Sequence, residues 1–163
     1  NGDFAVTMSK QFLYDAWQFH LLEALTESAD QQVAAIAAKS LKEVIYHLRR
    51  SSEWVERLGD GTEESHQRMA AAIDTLWRFT FEFQETDAVV DSLSESGIIP
   101  DAGALKQQWQ QTVAKVFTDA TLSVPEDARS FYLSGREGMH TEHLGILLAE
   151  MQFLQRAYPD ASW

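Results

Sequence analysis

The chain has 163 residues, 45% of them hydrophobic, with 13 Lys plus Arg against 25 Asp plus Glu for a formal charge of −12, and no cysteine. Disulfides and thiolate metal sites are therefore excluded, and no apolar run is long enough to cross a bilayer. The acidic excess repels phosphate backbones, so neither nucleic acid nor a membrane is an expected partner, and a single cytoplasmic domain over residues 1–163 is the expectation.

The chain opens Asn1-Gly2-Asp3 without an initiator Met, which points to part of a longer product. No window alternates apolar and polar residues with period two, so no strand is expected. Phe12, Leu13, Ala16, Trp17, Leu21 and Leu25 recur at helical spacing and predict a helix over residues 9–28 with Ser9 as its N-cap. A second helix is predicted over residues 31–58 from Val33, Ala37, Leu41, Val44, Leu48, Val55 and Leu58, with Gly59 as a left-handed C-terminal cap. From Thr62, a natural N-cap followed by Glu63 and Glu64 in the first turn, the seam His66, Met69, Ile73, Leu76, Thr80 and Phe83 predicts the third.

Residues 87–101, rich in Ser and ending Gly97 to Pro100, read as a surface loop. Leu105, Trp109, Val113, Val116 and Ala120 predict a helix over residues 102–120. After a loop around Pro125, His140, Leu144, Leu147, Met151 and Leu154 predict a last helix over residues 134–157. About five helices joined mostly by short turns make an all-α, up-and-down bundle.

Two Glu-x-x-His tetrapeptides, Glu63 to His66 and Glu137 to His140, put a carboxylate and an imidazole on one helix face, the pattern of a carboxylate-bridged di-iron bundle. A self-contained ferritin-like di-iron oxidase built on Glu63, His66, Glu137 and His140 is thus one reading. The simpler one makes Glu63 a dipole complement and His66 the first member of the seam. His47, Arg49, Arg50 and Arg57 form a small basic cluster that Glu43, Glu53 and Glu56 are placed to neutralise one turn away. Nucleophilic catalysis has no support, since no Ser stands in a Gly-x-Ser-x-Gly context, and no phosphate-cradling loop is present. Five Trp and nine Phe exceed what one core of this size needs; Phe79 and Phe81, flanking Thr80, are expected to point away from the seam and mark a partner surface.

The run from Tyr46-His47-Leu48-Arg49-Arg50 through Gly59-Asp60-Gly61-Thr62-Glu63-Glu64-Ser65-His66 resembles the C-subunit family of the phenylacetyl-CoA epoxidase complex, a phenylacetate ring-oxygenase. Asn1-Gly2-Asp3-Phe4-Ala5, the run from Gln11 to Trp17, the run from Ala71 to Arg78 and Gly138-Met139-His140-Thr141-Glu142-His143-Leu144 agree with it, so the likeness covers essentially the whole chain. The resemblance implies a ferritin-like fold that here lacks its first helix pair, within a bacterial monooxygenase complex. That complex epoxidises phenylacetyl-CoA in phenylacetate catabolism with dioxygen, NADPH through a reductase, and a di-iron centre held by the catalytic A subunit. It further implies a structural role for this chain, with no catalytic, cofactor-binding or metal residues of its own, in a hetero-oligomer with the A subunit. Self-association is a further expectation, where the absent front helices would pack. Where the family's bundle places Glu-x-x-His, the sequence reads Glu43-Val44-Ile45-Tyr46, and Asp15 is the one carboxylate on the preceding helix expected to face inward.

Overall fold

A computed structural model describes residues 2–126 and 135–162. They are all helix, turn and loop, with no strand among the described residues. The chain falls into two compact units, Asn1–Ser130 and Phe131–Trp163.

In the first unit, α1 (Phe4–Leu25) and α2 (Gln31–Gly59) pack along one another, and α3 (Glu63–Trp77) and α5 (Ala102–Asp119) both pack on that pair. Between α3 and α5 run a 3₁₀ turn, Thr80–Gln84, and the short α4 (Ala88–Glu95). All five positions predicted from the period of α5 are buried, Leu105, Trp109, Val113, Val116 and Ala120. Trp109, Val113, Val116 and Ala120 join one core with Phe12 and Ala16 of α1, Val55 of α2, and Met69, Ile73 and Trp77 of α3. Aromatic rings form the centre of this core: Trp77 lies 5.5 Å from Trp109 and 6.1 Å from Phe117, and Phe12 lies 5.9 Å from Phe117. The indole N–H of Trp109 donates to the Leu13 carbonyl oxygen at 3.0 Å, so the largest buried ring keeps its polar atom satisfied.

Several boundaries differ from the expected ones. The first helix starts at Phe4, because Asp3 caps it by accepting from the Val6 N–H at 3.0 Å; Ser9 is buried inside the helix instead. Gly59 remains within α2. Its glycine identity is required by close approach, since a Cβ there would stand 2.4 Å from the Ala120 carbonyl oxygen. Thr62 does cap α3, in a reciprocal capping box with Ser65. That helix ends at Trp77 rather than running on to Phe83. Thr80 donates its hydroxyl to the Trp77 carbonyl at 2.8 Å, and the tighter 3₁₀ turn changes the register. In consequence Phe81 and Phe83 pack against the core while Phe79 stays exposed.

The expected loop over residues 87–101 contains α4, capped by Asp87, which accepts from the N–H groups of Val89 at 2.9 Å and Val90 at 2.8 Å. Gly97, at φ 74°, ends it. Beyond α5, Thr121 occupies the left-handed region at φ 59°, an unusual place for a β-branched residue. The Leu122 N–H donates to the Phe117 carbonyl at 2.8 Å, a Schellman closure that seats Leu122 on the core.

In the second unit, a 3₁₀ turn (Gly135–Glu137) precedes α6 (Glu142–Met151) and α7 (Phe153–Ala157). The last helix was expected to begin at Ser134, which lies outside the described residues. The remainder of that predicted span is not one helix: Gly138 adopts φ 85°, and the chain re-enters helix only after Thr141. None of the described helices is long and apolar enough to cross a membrane.

Candidate functional site

The first unit carries an open groove of about 410 Å³ between α1 and α2. Met8, Gln11 and Asp15 line it from α1; Tyr46, His47, Arg50 and Ser51 line it from α2. Asp15 is 1% exposed, and its carboxylate accepts from the Gln11 amide at 2.6 Å and from the Ser51 hydroxyl at 2.8 Å. These bonds supply the polar partners a carboxylate needs when removed from water. The inward placement of Asp15 matches the sequence expectation. Tyr46, at the position where an imidazole would complete Glu-x-x-His, is 53% exposed on the groove rim, and Glu43 faces solvent.

This donor set does not fit a di-iron centre. Such a centre draws on several carboxylates and two imidazoles converging from facing helices, whereas the groove lining offers one carboxylate, already engaged on both oxygens. No group of three His, Asp or Glu side chains able to hold a metal ion is found among the described residues.

The Glu-x-x-His residues stand in other surroundings. Glu63 is exposed in the first turn of α3 and accepts from the Gln67 amide at 2.6 Å. The His66 Nδ1–H donates to the Gly59 carbonyl oxygen at 2.8 Å, so His66 ties the end of α2 to the start of α3 rather than opening an apolar seam. Thr121 donates its hydroxyl to the same oxygen at 3.3 Å. In the second unit, Glu137 ends the 3₁₀ turn and His140 lies in the segment before α6, both exposed.

The basic cluster of α2 makes no direct ion pair with its acidic neighbours: none joins Arg49, Arg50 or Arg57 to Glu43, Glu53 or Glu56 among the described residues. Instead the Arg49 guanidinium lies 5.6 Å from the centre of the Tyr46 ring, and that of Arg57 lies 5.8 Å from the centre of the Trp54 ring. Single-sequence reasoning placed these residues together but not their aromatic seats, which follow from i,i+3 spacing on a helix (46 with 49, 54 with 57).

A family profile described as phenylacetic acid catabolic protein matches residues 1–163. A curated relative, the C subunit of 1,2-phenylacetyl-CoA epoxidase from Escherichia coli, is 48% identical over 163 residues, all of this chain and 65% of the relative. The chain thus spans a little under two thirds of the relative's length.

Proposed function

Because the chain belongs to the phenylacetic acid catabolic protein family, we propose that it acts as a non-catalytic, ferritin-like structural subunit of a phenylacetyl-CoA epoxidase, supporting a di-iron catalytic A subunit in phenylacetate breakdown. The observation that carries this reading is the 48% identity, from end to end of the chain, to a protein named as the C subunit of such an enzyme. The groove between α1 and α2 supports it: where an oxidase would gather metal ligands, Asp15 is held by Gln11 and Ser51, and Tyr46 stands for an imidazole. In this role the chain's chemistry is positional. Its helices hold a rigid scaffold against the subunit that binds substrate and iron, and the enzyme's oxygen chemistry takes place there.

The test is reconstitution of the complex from purified subunits, with iron measured on each. The expected result is phenylacetyl-CoA epoxidation only when both subunits are present, with iron confined to the A subunit. Stoichiometric iron in this chain, lost on His66→Ala or His140→Ala, would instead establish the self-contained di-iron oxidase.

A further inference from the structure

α2 carries five of the thirteen Lys and Arg residues of a chain whose formal charge is −12. At 100° per residue, Lys39, Lys42, Arg49, Arg50 and Arg57 fall with Tyr46 within an arc of about 100°, a stripe about 27 Å long. The buried Ala37, Val44, Ser51 and Val55 occupy the opposite side of the helix. All five cations are exposed, and none has an ion-pair partner among the described residues.

We infer that this outer face of α2 is a docking surface for a protein partner that presents carboxylates to it. Three observations converge. Among the described residues the cations are without ion-pair partners even though Glu43, Glu53 and Glu56 lie on the same helix. Two of the guanidiniums, Arg49 and Arg57, rest on aromatic rings; stacking restricts each guanidinium while leaving its N–H edge open for bidentate pairing with a carboxylate. Exposed apolar groups flank the stripe: Ile45 is 51% and Ile36 59% exposed, and Arg with Tyr in such a setting is the composition of interface anchors. A phosphate backbone is a poorer match. Glu43 and Glu53 interleave with the cations, and a uniform polyanion would meet both, whereas a protein surface can set a base opposite each.

The inference rests on the proposed subunit role for its partner, the catalytic A subunit, and is tested with that protein as the probe. Affinity of the complete subunit for the A subunit is measured by titration calorimetry at low and high salt. Arg49→Glu/Arg50→Glu is expected to weaken binding about 100-fold at low salt and to flatten its salt dependence. Arg50→Glu alone is expected to weaken it by about tenfold or more, while Lys106→Glu on α5, the same charge change elsewhere, leaves it unaltered. Arg57→Glu provides an independent probe at the far end of the stripe, with helicity checked by circular dichroism. Unchanged affinity in both Arg49→Glu/Arg50→Glu and Arg57→Glu would overturn the docking surface while leaving the subunit role intact. Absence of binding by the unaltered chain would overturn the subunit role and this surface with it.

Discussion

The Ser51 hydroxyl of α2 donates to the Asp15 carboxylate of α1 at 2.8 Å, and the two side chains are 2% and 1% exposed. The bond crosses the principal helix pair at the floor of its groove. It satisfies a buried carboxylate for which no ion pair is found among the described residues. Ser51→Ala removes the more deeply buried of the two donors to that carboxylate. A loss of about 1–3 kcal/mol in unfolding free energy is expected, read from urea denaturation at constant m-value. Gln11→Ala removes the other donor from a partly exposed position, where water can substitute, and should cost less. The two losses appearing in the reverse order would contradict this account of the groove.

Trp109 joins two roles in one side chain, filling the centre of the aromatic core and donating to the Leu13 carbonyl of α1. Trp109→Phe keeps much of the ring volume but takes away the donor, and about 1–3 kcal/mol should be lost. Trp109→Ala adds a cavity and should cost about 3–5 kcal/mol. Thermal unfolding followed by far-UV circular dichroism separates the two. Equal losses would mean that filling the core contributes nothing beyond the hydrogen bond, and a Trp109→Phe protein as stable as the parent would mean that the bond contributes nothing beyond packing.

Much of this arrangement was legible in the sequence where a helix is long and its period unbroken. α5 showed most of its buried face through Leu105, Trp109, Val113 and Val116, missing only Phe117, and Thr62 announced the start of α3. The failures have physical causes. Ser9 has the side chain of a cap, and only the fold reveals that it is buried mid-helix while Asp3 caps α1. α4 is eight residues long, too short for a period to emerge from a Ser-rich stretch. The division of the last predicted helix follows from Gly138 in a left-handed conformation, which glycine content alone does not announce. At the groove, Asp15 and Tyr46 could be singled out from the sequence. Gln11 and Ser51 could not, because they are selected by the register of α1 against α2, and single-sequence periodicity carries no information about register.

His20 predicts a pH dependence. Its Nε2 lies 2.7 Å from the Thr112 hydroxyl of α5, its Nδ1 is buried without a hydrogen-bond partner, and burial pushes its pKa below the usual histidine value of 6.5, opposed in part by Glu23. The unfolded chain therefore binds more protons than the folded one between the folded-state pKa and 6.5. Stability should be fully present above that value and should fall as pH drops through the window. His20→Gln keeps a polar group facing Thr112 but cannot titrate. Urea midpoints for the two proteins should diverge less at pH 5 than at pH 7.5; a constant gap across that range would remove His20 as the cause.

Gly59 and Gly145 make opposite predictions for the same substitution. A Cβ at Gly59 would stand 2.4 Å from the Ala120 backbone oxygen and 2.9 Å from the Ala120 side chain. Backbone cannot yield as the tip of a flexible side chain can, so α2 and the end of α5 must separate, taking with them the contacts of Leu122 and the Thr121 bond to the Gly59 carbonyl. Gly59→Ala should cost about 1–3 kcal/mol. At Gly145, within α6, nothing lies within 4 Å of the added methyl, and the gain in helix propensity should favour Ala by about 1 kcal/mol for α6 itself. Thermal unfolding of Gly59→Ala, and local amide exchange across α6 for Gly145→Ala, read the two effects where they arise. A neutral Gly59→Ala would show that the helices part without loss and that the junction is not close-packed; slower exchange in α6 is the sign expected for Gly145→Ala, and faster exchange would show that the glycine serves a contact rather than merely lowering helicity.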